Sequence, residues 1–426
     1  MAETVIVNIV GFAGAVLLLC FVADRAGSGS TFAHLFSVVW GPCILAAQFL
    51  TTTGNTLSWK TIVVLFGAWW AFLVGGLLTI RRRPAMAPRE IVINSRRAIA
   101  AVLLLFSLQA TLVVYELPAI DAQKSPILYV LALRNPDESN GRTKCPWWLE
   151  IFRNAYFVYL PLAVILRKRG LMSRRMFYIL VVSACLLGLT RMTRAPLLAC
   201  IATLWSSWTL LDRSRALRAW GMLAGWLGAF CVVFVLIQAA LHSMQNFNVE
   251  GVGLVETYYG GSMQAYDTII DGSFPREPGY YSADMFYYTL QKLKIIDSES
   301  YPSLVKPYVY NTNIYTFLDV FTLDGGILGA ILGATLVGAA GGWLFNKAAK
   351  RPSPMILAWN ALFAYCVAIA VANNEFIRIN FVMTLVLASI VSHFVVQRRV
   401  GRASAFLFPA RDLSSGRPSL PAPPSM

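Results

Sequence analysis

The sequence predicts an all-α polytopic integral membrane protein, and three observations carry that prediction. Hydrophobic residues make up 57% of the chain and charged residues 13%, with a mean hydropathy of +0.60. The apolar residues recur in runs of about twenty, the length a helix needs to cross hydrocarbon. The Lys and Arg behind the net charge of +15 sit in short clusters between those runs. That is how topology determinants are placed, and it is not the continuous basic face of a nucleic-acid binder.

Taken in chain order, apolar runs of suitable length fall near 4–22, 32–50, 61–80, 98–115, 147–166, 176–190, 195–211, 220–241, 323–345, 354–372 and 379–396, about eleven spans in all. The first run has no basic leader, and its first basic residue, Arg25, follows the apolar stretch. It therefore reads as a span and not as a signal peptide. The spans divide into an N-terminal block over 1–241, with about eight, and a C-terminal block over 323–397, with about three. Between the blocks lies a polar, aromatic-rich segment over 242–322, expected to contain short helices. A connection of that length is far above the usual and points to function or disorder, and its Tyr, Asp and Lys content favours function. The tail over 398–426 is rich in Pro and Ser, a composition that cannot bury a core.

Most of the 36 Lys and Arg lie in alternate connectors: at Arg25, over 81–97, 167–175, 213–218 and 347–351, and after 396. The positive-inside rule puts those connectors and the C-terminus in the cytoplasm, and the N-terminus and the 242–322 loop on the outer side. All the cysteines except Cys145 lie in apolar runs and no CxxC pair occurs, which argues against a disulfide framework or a thiolate metal site.

Four polar clusters fall on the outer side. The first is GLTRMTRAPLLA, with Arg191 and Arg194. Two arginines three apart at a helix start can form a fork for paired phosphates, or they can snorkel to lipid headgroups. The second opens the long loop: Tyr258, Tyr259, Gly260 and Gly261 are followed by Tyr266 and Asp267 on a helical stretch. Aromatic faces beside carboxylates suit a sugar-binding groove, and the same pattern suits an amphipathic interfacial helix. The third closes the loop, with Asn313, Tyr315, Thr316, Asp319 and Asp324 running into a helix whose Gly329 and Gly333 have the small-xxx-small spacing of close helix packing. Asp324 is placed to cap a helix starting at Gly325. The fourth is ANNEFIRIN, where Glu375 and Arg378 form either an intrahelical ion pair or a further contact for an anionic ligand. His242 stands alone at the outer end of the eighth span, while His34 and His393 lie near inner span ends. No Walker loop, HExxH or GxSxG occurs, and Asp297 with Glu299 is a weak approach to a metal pair.

The TRxxRxxLL segment (Thr190, Arg191, Arg194, Leu197, Leu198), the YxGG and AYD elements opening the long loop, and NIYTFLDVFTLDGGILG closing it resemble the bacterial oligosaccharide repeat unit polymerases, the Wzy-type O-antigen and exopolysaccharide polymerases. The likeness covers roughly 185–345 and is one of pattern. It implies a multi-pass glycosyltransferase of the bacterial inner membrane. Such an enzyme moves a growing glycan from one undecaprenyl diphosphate carrier onto the repeat unit carried by another, at the periplasmic face, without cofactor, metal or nucleotide sugar. It also implies a bilayer environment, a flippase and a chain-length regulator as partners, and no nucleic acid. By the same resemblance, Arg191 and Arg194 would neutralise the diphosphate, and Arg378, from its own cluster, is a further candidate for that contact. Tyr258, Gly260, Asp267, Asn313, Tyr315 and Asp324 match the family's loop pattern; Tyr258, Tyr259, Tyr266, Asn313 and Tyr315 are the residues expected to bind glycan. The family does not settle the base, and of the residues on the outer side Asp267 is the first choice and Glu375 the second, with His242 kept beside them, to take the proton of the attacking hydroxyl. Two other activities remain open beside the polymerase: an O-antigen ligase-like transferase, and a lipid-linked oligosaccharide flippase or transporter.

Overall fold

The computed structural model describes residues 2–27, 31–49, 57–81, 92–116, 146–189, 195–211, 220–226, 228, 261–272, 290, 294–295, 316–371 and 379–396. These form helices α1 (Ala2–Ala26), α2 (Phe32–Phe49), α3 (Trp59–Thr79), α4 (Ser95–Glu116), α5 (Trp147–Glu150), a 3₁₀ turn (Ile151–Asn154), α6 (Tyr156–Lys168), α7 (Arg174–Leu189), α8 (Ala195–Leu211), α9 (Gly261–Ile270), α10 (Asp319–Lys350), α11 (Pro354–Ile369) and α12 (Ile379–Val395). Among the described residues there is no strand, only one isolated bridge between Ile93 and Val396.

Among the described residues, four helices are long and apolar enough to cross a membrane: Thr4–Ala26, Trp59–Thr79, Ser95–Tyr115 and Asp319–Lys350. Phe32–Gln48, Ala195–Leu211, Pro354–Ile369 and Phe381–Val395 are apolar but shorter. The described helices therefore reach four full-length spans where the apolar runs predict about eleven. Most of the run at 220–241 lies outside the described residues. The run at 147–166 is divided into α5, the 3₁₀ turn and α6, because Glu150, Arg153 and Asn154 interrupt it. What remains as α6 is buried all round from Tyr156 to Leu166, as expected of a helix at the centre of a bundle.

Outer helices show the opposite pattern. On α1, Val5, Ile6, Ile9, Val10, Val16, Leu17 and Phe21 are exposed, and on α10 so are Ile327, Leu328, Leu332, Leu336 and Trp343. Continuous apolar stripes of this extent face lipid, since a soluble surface rarely carries them.

The tightest packing is between α3 and α10, which run parallel. A Cβ at Gly75 would lie 2.1 Å from the Thr335 carbonyl oxygen, and one at Gly338 would lie 2.0 Å from that of Phe72. Backbone thus meets backbone, which only glycine permits here. Just beyond the crossing, Thr79 Oγ1 donates to the Ala339 carbonyl (3.0 Å). The Asn346 side chain then finishes α3, donating to the Thr79 carbonyl and accepting from the Arg81 N–H. The predicted stripe at Gly329 and Gly333 has a different partner. Both glycines lie under Phe321 of the same helix, whose carbonyl would be 2.2 Å from a Cβ at 329 and whose ring would be 2.5 Å from one at 333. That contact exists because α10 breaks at Gly326, where φ is 64° and ψ is −154°, a conformation reserved for glycine. The helix therefore begins at Asp319 and restarts past Gly326, so no helix starts at Gly325, and Asp324 lies two residues before the break.

An aromatic layer joins α2, α3 and the start of α10. Phe36 stacks on Phe72 (4.0 Å between centroids) and on Trp40 (4.9 Å), and Phe317 meets Trp40 edge-on at 5.5 Å. Offset and edge-on ring pairs add to the area they bury. Elsewhere, Asn8 and Gln48 exchange two amide hydrogen bonds between α1 and α2 (2.7 and 3.0 Å). Tyr159 donates to Gln109 (2.8 Å), which donates to the Arg153 carbonyl (2.9 Å). In one stretch of α8, Thr203, Trp205, Ser206 and Ser207 each bury a side-chain polar atom that makes no hydrogen bond among the described residues.

Replacing Gly338 with Ala should lower stability by about 1–3 kcal/mol, the usual cost of overpacking. Gly325, which has no atom within 4 Å of a Cβ position, should tolerate Ala with little change. Unfolding in mixed micelles, followed by circular dichroism, compares the two variants.

Candidate functional site

The bundle has two chemically distinct ends. At one end Arg25 and Arg81 line a common cavity at the close of α1 and α3, and Asn346, next to Lys347, bonds the end of α3. There too the Asn94 N–H at the start of α4 donates to the Val395 carbonyl at the end of α12 (3.0 Å). Arg97 of α4 lies over the Phe394 ring (5.5 Å). Arg167, Lys168 and Arg169 close α6, just before Arg174 and Arg175 open α7. The described parts of the basic connectors at 25, 81–97, 167–175 and 347–351 are thus gathered on one side.

The starts of α3 and α10 lie at the other end, and α9 is held between them and α2. α9 is the described part of the long loop, and eight of its ten residues are buried. Asp267 ties it to α3. Oδ1 accepts from Ser58 Oγ (2.6 Å) and from Thr61 Oγ1, and Oδ2 accepts from the Ser58 N–H (3.3 Å). Ser58 is itself the N-cap of α3, accepting from the Thr61 N–H. The carboxylate therefore sits where the first turn of a helix leaves amides unpaired and its dipole favours negative charge. Tyr266 ties α9 to α10. Its hydroxyl is 2.7 Å from Thr322 Oγ1. Thr322 gives its one proton to the Leu318 carbonyl (2.8 Å), so Tyr266 must be the donor in that pair.

The tyrosine ring is completely buried and offers no face for stacking on a sugar. Of the residues expected to bind glycan, Tyr266 is thus a strut within the protein. Tyr258, Tyr259, Asn313 and Tyr315 lie outside the described residues. So do Arg191, Arg194 and Arg378, and so do Glu375 and His242. Ser58, Thr61 and Thr322 carry no motif of their own and emerge only from the fold. A Ser-x-x-Thr at the head of an apolar run signals a helix cap, but nothing in it names a carboxylate over two hundred residues away. Asp319, at the first position of α10, is fully buried and accepts from the Val320 N–H (2.7 Å).

The described residues beside the other clusters lie at this same end. The Phe317 N–H at the start of α10 donates to the Ala370 carbonyl at the end of α11 (2.7 Å), just ahead of the segment with Glu375 and Arg378. α7 starts at the basic end and runs sixteen residues to Leu189, a rise of about 24 Å. Leu189 and Ala195, which bracket the TRMTR segment, are therefore at the α9 end.

Removing the Asp267 link should loosen α9. A double-mutant cycle of Ser58→Ala and Asp267→Asn, read by thermal unfolding, should give a coupling of about 1–3 kcal/mol, as charge-assisted hydrogen bonds do; additive losses would contradict the tie. No protein-family model, no curated protein and no solved structure matches this chain, so the chemistry of the site rests on its own residues.

Proposed function

We propose that this chain is a membrane glycosyltransferase that polymerises lipid-linked oligosaccharide repeat units. It moves the glycan from one undecaprenyl diphosphate carrier onto the repeat unit of another at the periplasmic face of the bacterial inner membrane. One observation carries most of the reading: the described neighbours of the TRMTR, AYD, TFLD and ANNEFIR segments all lie at the end of the bundle opposite the basic connectors. Under the positive-inside rule that end is the periplasmic one, where a lipid-linked donor and acceptor already flipped across the membrane would meet.

In this mechanism Arg191 and Arg194, joined by Arg378, bind the donor's diphosphate and offset the charge that develops as the glycosyl bond breaks. A hydroxyl of the acceptor's terminal sugar attacks the anomeric carbon. Its proton passes to an acceptor group, and undecaprenyl diphosphate leaves. Asp267 is the acceptor that the sequence pattern ranks first. With two hydroxyls on Oδ1 and an amide on Oδ2, it serves better as a positioning residue that seats α9. Glu375 and His242 then remain for the proton, since a base needs a lone pair within reach of the substrate hydroxyl. Tyr258, Tyr259, Asn313 and Tyr315 provide the glycan groove. Chemistry driven by a diphosphate leaving group requires neither nucleotide sugar nor ATP.

Purified protein in lipid, supplied with synthetic undecaprenyl diphosphate repeat units alone, should yield a ladder of glycans. Arg194→Ala should reduce the rate by about 10²–10³-fold, the usual cost of losing one group that stabilises developing charge. Transfer only onto a lipid A core acceptor would indicate a ligase. Movement of the substrate across vesicles without a new glycosidic bond would indicate a transporter.

A further inference from the structure

At the basic end, between the last turns of α1 and α3, a cavity of about 460 Å³ is lined by Phe21, Asp24, Arg25, Leu77 and Arg81. Its walls are of two kinds. Phe21 and Leu77 lie one turn deeper in their helices and are apolar, while Arg25 and Arg81 stand at the helix ends. Among the described residues neither guanidinium makes a hydrogen bond or ion pair, and the Arg81 backbone N–H donates to Asn346. Asp24 is engaged in an interaction of its own.

Among the described lining residues, two arginines and one aspartate leave one net positive charge at the rim. Both helices present their C-terminal, partially negative ends here, so an anion is held by the guanidinium groups and not by the helix dipoles. Guanidinium groups bind phosphate oxygens in paired hydrogen bonds. A free inorganic anion would have no use for the apolar wall beneath, and a plain hydrocarbon chain would have none for the rim. The feature that matches both is a monoanionic phosphodiester with an acyl chain attached.

We infer that this cavity is a binding site for an anionic glycerophospholipid of the leaflet at the basic end. Its phosphodiester lies on Arg25 and Arg81, one acyl chain runs along Phe21 and Leu77, and a hydroxylated headgroup such as glycerol faces the Asp24 carboxylate. The lipid would bridge α1, otherwise the most lipid-exposed helix, to α3, the helix that carries the Asp267 anchor at its other end. This site is on the opposite side from the proposed glycan chemistry and does not depend on it.

Native mass spectrometry of the full chain, released from micelles doped with phosphatidylglycerol or phosphatidylcholine, tests the assignment. One phosphatidylglycerol should be retained in preference to phosphatidylcholine, and inorganic phosphate in excess should not displace it. The Arg25→Gln/Arg81→Gln double variant should weaken retention about thirtyfold, from the usual contribution of each arginine at an anionic lipid surface. Arg169→Gln, an exposed arginine outside the cavity, should leave retention unchanged. Equal retention of phosphatidylcholine, displacement by inorganic phosphate, no effect of the double variant, or an equal effect of Arg169→Gln would each overturn the inference.

Discussion

The approach of α3 to α10 is the constraint on which the rest of this structure depends. Because carbonyl oxygens of one helix occupy the space a Cβ would need on the other, at Gly75 and Gly338, the two helices are fixed in register and in depth. Both run in the same direction, so their N-termini emerge side by side. Those N-termini supply the groups that receive α9: Ser58 and Thr61 from α3, Thr322 from α10. A shift of one helix against the other by a single turn, about 5.4 Å, would separate the partners of Asp267 from the partner of Tyr266. Packing in the middle of the bundle thus sets the geometry of the loop at its end.

The break at Gly326 serves the same arrangement. The first turns of α10, from Asp319, carry Leu318, Val320 and Leu323 inward, with Phe317 edge-on to Trp40 in the aromatic layer. After the break, the glycine stripe at Gly329 and Gly333 lets Phe321 settle on the second half of the same helix. The loop's closing segment is therefore wedged into the bundle at the end where the arginine-bearing TRMTR segment and the ANNEFIR segment also join their helices. At the opposite end lie Arg25, Arg81, Arg97 and Lys347; under the proposed orientation each would contribute about 1 kcal/mol at an anionic leaflet. The two ends thus differ in chemistry, one carrying the described arginines and lysines and the other the hydroxyls that seat α9, a difference compatible with the proposed polymerase.

The helical class and the positions of the long helices were legible because an apolar run of about twenty residues has few alternatives in water or lipid. The charge interruption at Glu150 and Arg153 was equally visible in the sequence, yet its effect, a short helix and a 3₁₀ turn ahead of a buried α6, depends on what surrounds it. The choice among glycines was not legible at all. Gly329 and Gly333 have the packing spacing as clearly as Gly338 and Gly342, and only the fold shows that the first pair takes Phe321 of its own helix, by carbonyl and by ring, and the second pair takes α3. Asp267 and Tyr266 were legible as a pair of interest, but their partners were not, since a hydroxyl at a helix start carries no sign of which carboxylate it will meet. Tyr266 shows the cost of reading an aromatic beside a carboxylate as a sugar platform: the same pattern fits a residue whose ring is wholly inside.

The central claim is that the end of the bundle holding α9 faces the periplasm while the basic connectors face the cytoplasm. Its most direct test is labelling of single added cysteines in intact cells with a maleimide that does not cross the inner membrane, using the unaltered chain as the blank. Asp271→Cys, at the exposed end of α9, should be labelled from outside, and Arg169→Cys, in the exposed turn after α6, only once the membrane is opened. Labelling of position 169 from outside with 271 protected would invert the molecule and contradict the account.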